Sequence, residues 1–501
     1  MSPRRLYSVV AACAVVFYLG ALWNRFALDD NQIIAFNALV HHISGMWRTF
    51  AAPYWPLDVG GGLYRPLPIA SYTLDWSLSG GAPSWFHLVN LAWHAGASVA
   101  VAFLARHLSG DRAAWTAGLL FAVHPVHVEA VANIVGRAEI MATLFVVLSV
   151  YAALARDQLW WSLAALACGV LSKENAIVGP GLIAWAWVVG LARPSRRRMT
   201  AYAASWLAFG IAYFIFRLTV LQQGLADVPA PVFYGASPIA VRLTAVATFA
   251  DVARLLVFPL KLRVDYSPAE RTLVTTPLDW PFVLGFVCLA AWVALMWISW
   301  RRGRRVEAFG LGWIGIAFFP VSNLTASVSI LLAERNLYLP SVGLALAVGA
   351  ALQQLEPRRL AWVLGLLVAA GGARTVERVP TWKDSRAVIE SELEDSPRSF
   401  VGPAHMVVPL LTAHQPAKAL AAFRISTGIY DVRLPWLYVN GAEAAWATGQ
   451  AVLADSILTR LEVVCRPCDF YYRYEAPIAR ARGYPAAADS FLARIGRTPG
   501  R

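Results

Sequence analysis

Charge is scarce in this chain. Only 15% of its 501 residues are Asp, Glu, Lys or Arg, and the acids are the rarer sign, 30 against 43. So small a share excludes a domain wetted on all sides, for which about 25% is usual. No Gly-rich loop that would cradle a nucleotide and no H-E-x-x-H zinc helix is present. Cysteine is limited to five residues. Cys13, Cys168 and Cys288 fall in apolar runs and read as inert packing residues, which leaves Cys465-Arg-Pro-Cys468 as a local disulfide in an oxidising compartment. A redox role for that pair lacks the βαβ context it would need. The net charge of +13 invites a nucleic-acid partner, but Lys and Arg fall in short clusters between apolar runs, which is a topology signal, and nucleic acid is set aside as a partner.

What is abundant is hydrocarbon. The chain is 58% hydrophobic, holds 21 Trp and has a mean hydropathy of +0.53. Its runs are long enough to cross a bilayer at about eleven places: 6–24, 86–105, 113–131, 139–155, 158–171, 175–192, 200–221, 281–300, 306–323, 336–353 and 359–375. The fold class expected is all-α, a polytopic helical bundle. Basic clusters at Arg4-Arg5, Arg106–Arg112, Arg156, Arg193–Arg198, Arg301–Arg305 and Arg358-Arg359 fall on alternate loops, which puts the N-terminus in the cytoplasm and everything after about residue 376 on the far side. The first run lacks a clear cleavage site before Asp29 and reads as retained. The stretch 239–260 is apolar but carries Arg242, Asp251 and Arg254, and it reads as an amphipathic interfacial helix in a long outer loop, 222–280.

Polar residues cluster at the outer ends of these spans. Asp29-Asp30 follows the first, where two carboxylates meet the membrane boundary; charged groups at membrane depth are costly and tend to mark function. His87, Asn90 and His94 lie near the outer end of the second span. His124, His127 and Glu129 lie in the third, with Pro125 expected to kink it. Arg137 and Glu139 open the fourth, Lys173-Glu174 ends the fifth, Glu334-Arg335 starts the tenth, and Arg65 sits in the first outer loop. All converge on the Asp29 side. The His-Pro-Val-His-Val-Glu string offers imidazoles three apart with a carboxylate, but Pro125 disturbs the face, and a hydrogen-bonding role toward a sugar or phosphate is preferred to a metal. The expectation is therefore no metal site and no cofactor, with a divalent cation left open. For each cation the alternative is an ion pair with the neighbouring Glu139, Glu174 or Glu334.

Several strings together carry a family likeness: ALDDNQIIAFN (27–37), YRPL (64–67), FHLVNLAWH (86–94), LFAVHPVHVEAVANIVGRAE (120–139), LSKEN (171–175) and AERNLYLPSVG (333–343). They resemble the transmembrane and tetratricopeptide-repeat O-mannosyltransferases, which are C-type (GT-C) glycosyltransferases, over about residues 25–345. The resemblance implies a polyprenyl-phosphate-linked sugar as donor, an acceptor hydroxyl on protein, envelope glycan or lipid, and a carboxylate of the first outer loop, Asp29 or Asp30, as catalytic base. The remaining candidates, Arg65, His124, His127, Glu129, Arg137, Lys173, Glu174, Glu334 and Arg335, would then bind the donor phosphate or sugar. Inverting transfer needs one base for the acceptor and cations for the departing phosphate, so the chemistry agrees.

After about residue 381 the apolar runs shorten. Segments starting at His414, Gly449 and Gly483, 35 and then 34 residues apart, align as Ala-rich helical repeats, which suggests a 1–380 transmembrane domain followed by a 381–501 tetratricopeptide-like one. That array is shorter than the family's, so a protein acceptor is not assured. A flippase or a membrane-anchored scaffold are the competing classes; the first would spread its charges through both leaflets, and the second would not need Asp29, His124 or Lys173. The localisation implied is a bacterial inner (cytoplasmic) membrane, multi-pass, with active site and C-terminal domain periplasmic. Reporter fusions after Arg196 and Arg302 should accordingly read cytoplasmic, and fusions near Asp227 and after Ser385 periplasmic. A cytoplasmic Ser385 fusion would remove the repeat segment from the side of the acid pair.

Overall fold

The computed structural model describes residues 3–56, 62–221, 229–430, 433–465 and 468–496, with helices throughout and no strand among them. Asp227 lies outside the described residues. Many helices begin on proline, including Pro66–Ser79, Pro83–Ser109, Pro357–Arg378, Pro416–Ile429 and Pro435–Ala447. The first turn has no acceptor for its N–H groups, so proline costs nothing there and presets φ.

Among the described residues, six helices are long and apolar enough to cross a membrane: Pro83–Ser109, Ile134–Arg156, Arg196–Leu221, Trp280–Arg301, Glu334–Leu352 and Pro357–Trp382. The other expected spans form shorter or interrupted helices. Leu159–Ser172 and Arg305–Phe318 have 14 residues each. At 113–131 the expected kink is a full break. The helix stops at Val123, His124 is extended, and Pro125–His127 forms a 3-10 turn before the short Val128–Ala132 helix. The pyrrolidine ring of Pro125 disfavours helical geometry at His124, and the His124 ring accepts the Val126 N–H in place of the lost ladder. The stretch 239–260 also divides, into Pro238–Ala247 and Phe249–Val257.

Two compact units divide the chain: residues 1–228, 237–262 and 274–388 in one, residues 229–236, 263–273 and 389–501 in the other. In the first, Pro83–Ser109 packs between Asp111–Val123 and Arg137–Arg156, while Arg305–Phe318 packs on Tyr338–Leu352. That last pair meets backbone to backbone. A Cβ at Gly310 would lie 2.4 Å from the Gly343 carbonyl oxygen, and one at Gly343 would lie 2.3 Å from that of Gly310. Helices in lipid gain their association from such close approach. Among its described residues the second unit holds three helical hairpins, Val401–Thr412 with Pro416–Ile429, Pro435–Ala447 with Ala451–Val464, and Asp469–Ala481 with Pro485–Arg494. His414, Gly449 and Gly483, the first residues of the aligned segments, each turn the corner at positive φ (53°, 75° and 87°). Five residues on, Ala419, Ala454 and Ala488 are fully buried where helices touch. Cys465 and Cys468 are joined as a disulfide.

Gly343→Ala should lower the thermal unfolding midpoint in detergent, since overpacking of this kind costs about 1–3 kcal/mol. An unchanged midpoint would show that the two helices have room to part.

Candidate active site

The acid pair is split by its own backbone. Leu28 sits at positive φ (43°) and its N–H donates to Ser385 Oγ at 2.9 Å. This corner sends consecutive carboxylates to different places. Asp30 is completely buried; its Oδ2 accepts the Ala27 N–H at 3.1 Å and its Oδ1 the Val135 N–H at 2.9 Å. Burial raises its carboxyl to about 7 despite those donors. Asp29 is exposed and lines a cleft of about 380 Å³. The pair therefore contains one group that borders the cleft and one that fastens its own loop to the turn before the 137–156 helix.

Three cations line the same cleft, each paired with an acid distant in sequence. Arg65, at the start of Pro66–Ser79, grips Glu174 with both arms, Nε to Oε2 at 2.8 Å and Nη2 to Oε1 at 2.6 Å, with its guanidinium 5.1 Å from the Tyr54 ring centre. Lys173 pairs with Glu139, whose other oxygen accepts the Asn175 amide at 3.1 Å. Burial holds the Lys173 ammonium below its usual range, opposed by Glu139. Arg335 pairs with Glu129, which also accepts the Arg335 backbone N–H at 2.8 Å. Asp29 lies near enough to act on the Arg335 charge. Glu139, Tyr54, Trp55, Asn133 and Asn175 complete much of the lining.

Five expected donor-binding residues do not line this cleft, Glu129 among them as the partner of Arg335. Arg137 is fully buried and engages four acceptors: it pairs with Asp75 and donates to Asn90 Oδ1 at 2.6 Å, Ser71 Oγ at 3.0 Å and the Phe86 carbonyl at 2.9 Å. Removing Asp75 from such a pair would cost about 3–5 kcal/mol, and the guanidinium lies in the interior, outside the cleft lining. His124 Nε2 bonds the Leu256 carbonyl at 2.9 Å, and His127 Nε2 the Ser341 hydroxyl at 2.7 Å. Both imidazoles serve the break at Pro125 and the packing behind it. Glu334 is buried behind the lining. His87, Asn90 and His94 are likewise interior, His94 bonding Tyr338 Oη at 2.7 Å. Among the described residues no group of three or more His, Cys, Asp or Glu is placed to hold a metal. Asp75 was missed in the sequence, although a lone acid inside an otherwise uncharged helix is a signal that could have found it.

Next to the cleft is an apolar groove of about 720 Å³, lined by Ile177, Trp185, Trp292, Ile316, Phe319 and neighbours; Pro320 lines both.

Fold and site together define a multi-pass helical membrane protein with an acid set against three cations in one cleft. No family model matches the sequence. It is similar to Protein O-mannosyl-transferase TMTC4 of Homo sapiens, 28% identical over 459 residues, covering 78% of this chain and 61% of that protein. It is also similar to Protein O-mannosyl-transferase TMTC3 of Mus musculus, 27% identical over 439 residues, covering 78% of this chain and 47% of that protein. The chain thus spans about half to three-fifths of the length of these relatives, and the likeness read from the motifs is borne out. Among solved structures, ArnT from Cupriavidus metallidurans bound to undecaprenyl phosphate aligns over 98% of this chain and 79% of that one, with 14% identity and a TM-score of 0.40.

The split of the acid pair has a test. Asp29→Asn should leave the unfolding midpoint unchanged and cut any transfer activity by about 10²–10⁴, the usual loss for a general base. Asp30→Asn should retain transfer. It should instead abolish part of the pH dependence of unfolding: a carboxyl raised to about 7 when folded, against about 3.9 unfolded, makes the native state lose stability as pH rises through about 7. Full transfer by Asp29→Asn would refute this assignment.

Proposed function

We propose that the chain is an inverting GT-C glycosyltransferase that moves a sugar, mannose by analogy with its relatives, from a polyprenyl-phosphate carrier to an acceptor hydroxyl at the outer face of a bacterial inner membrane. The observation that carries this reading is the cleft itself. Asp29 lies opposite Arg65, Lys173 and Arg335, and an apolar groove begins beside them at Pro320. A lipid phosphate needs that combination, since its chain requires an apolar bed and its head requires cations.

The residues divide the work by charge. The Asp29 carboxylate takes the proton of the acceptor hydroxyl as that oxygen attacks the anomeric carbon. The bond from that carbon to the phosphate oxygen breaks, and the phosphate keeps the electron pair. Lys173, Arg335 and Arg65 stabilise the charge left there; the arginines offer a planar fork and the lysine a point charge. Their partners Glu139, Glu129 and Glu174 fix them in place beforehand, so little reorganisation accompanies the reaction. The helical hairpins of residues 401–494 supply the acceptor-binding surface in this reading, because stacked helix pairs commonly bind extended partners.

Membranes carrying the wild-type chain, supplied with polyprenyl-phosphate mannose labelled in the sugar, should release polyprenyl phosphate and transfer label to an envelope component; membranes with Asp29→Asn should not. A photo-crosslinker at Val452, 87% exposed, should join the chain to the labelled acceptor. Equal labelling with and without the chain would exclude the activity.

A further inference from the structure

The segment between Phe319 and Ile330 forms the partition between groove and cleft. Pro320 lines both spaces, Val328, Ser329 and Ile330 line the cleft, and Ser322 and Leu324 line the groove. Apart from a 3-10 turn at Phe319–Val321 the segment has no regular ladder to hold its shape. Asn323 substitutes for one. It sits at positive φ (59°), 1% exposed, with its Oδ1 accepting the Val328 N–H at 2.8 Å and its Nδ2 directed to the carbonyls of Ile330 and Leu331 at 3.3 and 3.4 Å.

A second clamp reaches the segment from 81 residues away. Arg242, on the Pro238–Ala247 helix, donates from Nη1 to the Asn323 carbonyl at 2.6 Å and from Nη2 to the Thr325 carbonyl. Two backbone carbonyls bridged by one guanidinium define a spacing that a lysine ammonium cannot match. The helix bearing Arg242 is itself anchored, with Thr244 Oγ1 accepting the Val274 N–H at 2.8 Å. The next helix, Phe249–Val257, is held through the Leu256 carbonyl by His124. The charge at Arg242 that marks this stretch as interfacial in the sequence thus has a specific target, the backbone that separates the lipid-compatible groove from the charged cleft.

We propose that Arg242 is a positioning residue that fixes this partition and so sets how a lipid-phosphate donor lies across it, chain in the groove and head in the cleft. The inference rests on the transferase reading above. Loosening the partition acts on donor binding more than on the chemistry at Asp29, because neither Arg242 nor its two carbonyl acceptors line the cleft.

The test uses the full chain in detergent or nanodiscs, with undecaprenyl phosphate as the binding probe and the labelled polyprenyl-phosphate sugar for kinetics. Arg242→Ala should weaken undecaprenyl phosphate binding roughly tenfold and raise KM for the donor in step, with kcat within about twofold, since small misplacements of binding elements have effects of this order or larger. Hydrogen exchange at the Val328 amide should speed up. Arg242→Lys, which keeps the charge but not the fork, should fall between, and it stands in for Arg242→Ala if that variant does not fold. Failure of the wild type to bind undecaprenyl phosphate would defeat the transferase reading itself. Wild-type binding together with unchanged affinity, KM and Val328 exchange in the variants would overturn the role of Arg242 alone.

Discussion

Each cation of the cleft is held by an acid from a distant part of the chain, and the shape of the site follows from that exchange of partners. Glu174 is reached by Arg65, Glu139 by Lys173 and Glu129 by Arg335, joining separations of 109, 34 and 206 residues. A charge removed from water needs a partner and good geometry to persist. Pairing neighbours such as Lys173 with Glu174 would satisfy that need locally and leave the segments free to drift. Pairing across the fold makes each ion pair a tie between elements, and the cleft is the space the ties enclose.

Two further groups act beneath this layer. Arg137 donates to Asp75, Asn90, Ser71 and Phe86, joining three helical segments around one buried charge. Asp30 spends both oxygens on backbone N–H groups and fixes the loop that carries Asp29. Neither meets the cleft, yet both decide where its walls stand. The Gly310–Gly343 contact has the same standing among apolar residues, because it places the helix at whose start Arg335 lies. Groups that line the cleft and groups that hold its walls are thus neighbours in sequence, Asp29 beside Asp30 and Arg137 two residues from Glu139.

The matches to the O-mannosyl-transferase relatives cover 78% of this chain and about half to three-fifths of their length. Its helical hairpins are a short array, three pairs among the described residues. The residues given a chemical role in the proposal all lie in the first unit.

Much was legible without coordinates. Helical class, six of the long apolar spans, the 34- to 35-residue spacing of the hairpin corners and the convergence of Asp29, Arg65, Lys173, Glu174 and Arg335 all follow from hydropathy, turn residues and motif order. These are properties that a chain expresses locally, through a 3.6-residue period or a residue's own backbone preference. Partner choice is different in kind. That Arg137 belongs to Asp75 and not to Glu139, that the imidazoles of His124 and His127 serve a broken helix, and that one aspartate of the pair is buried depend on which distant backbone arrives at each side chain. The sequence determined which charges the membrane region would contain; only the tertiary structure decided which of them would be neutralised in the interior and which would be left bordering the cleft, because that depends on distances of a few ångströms between segments far apart in the chain.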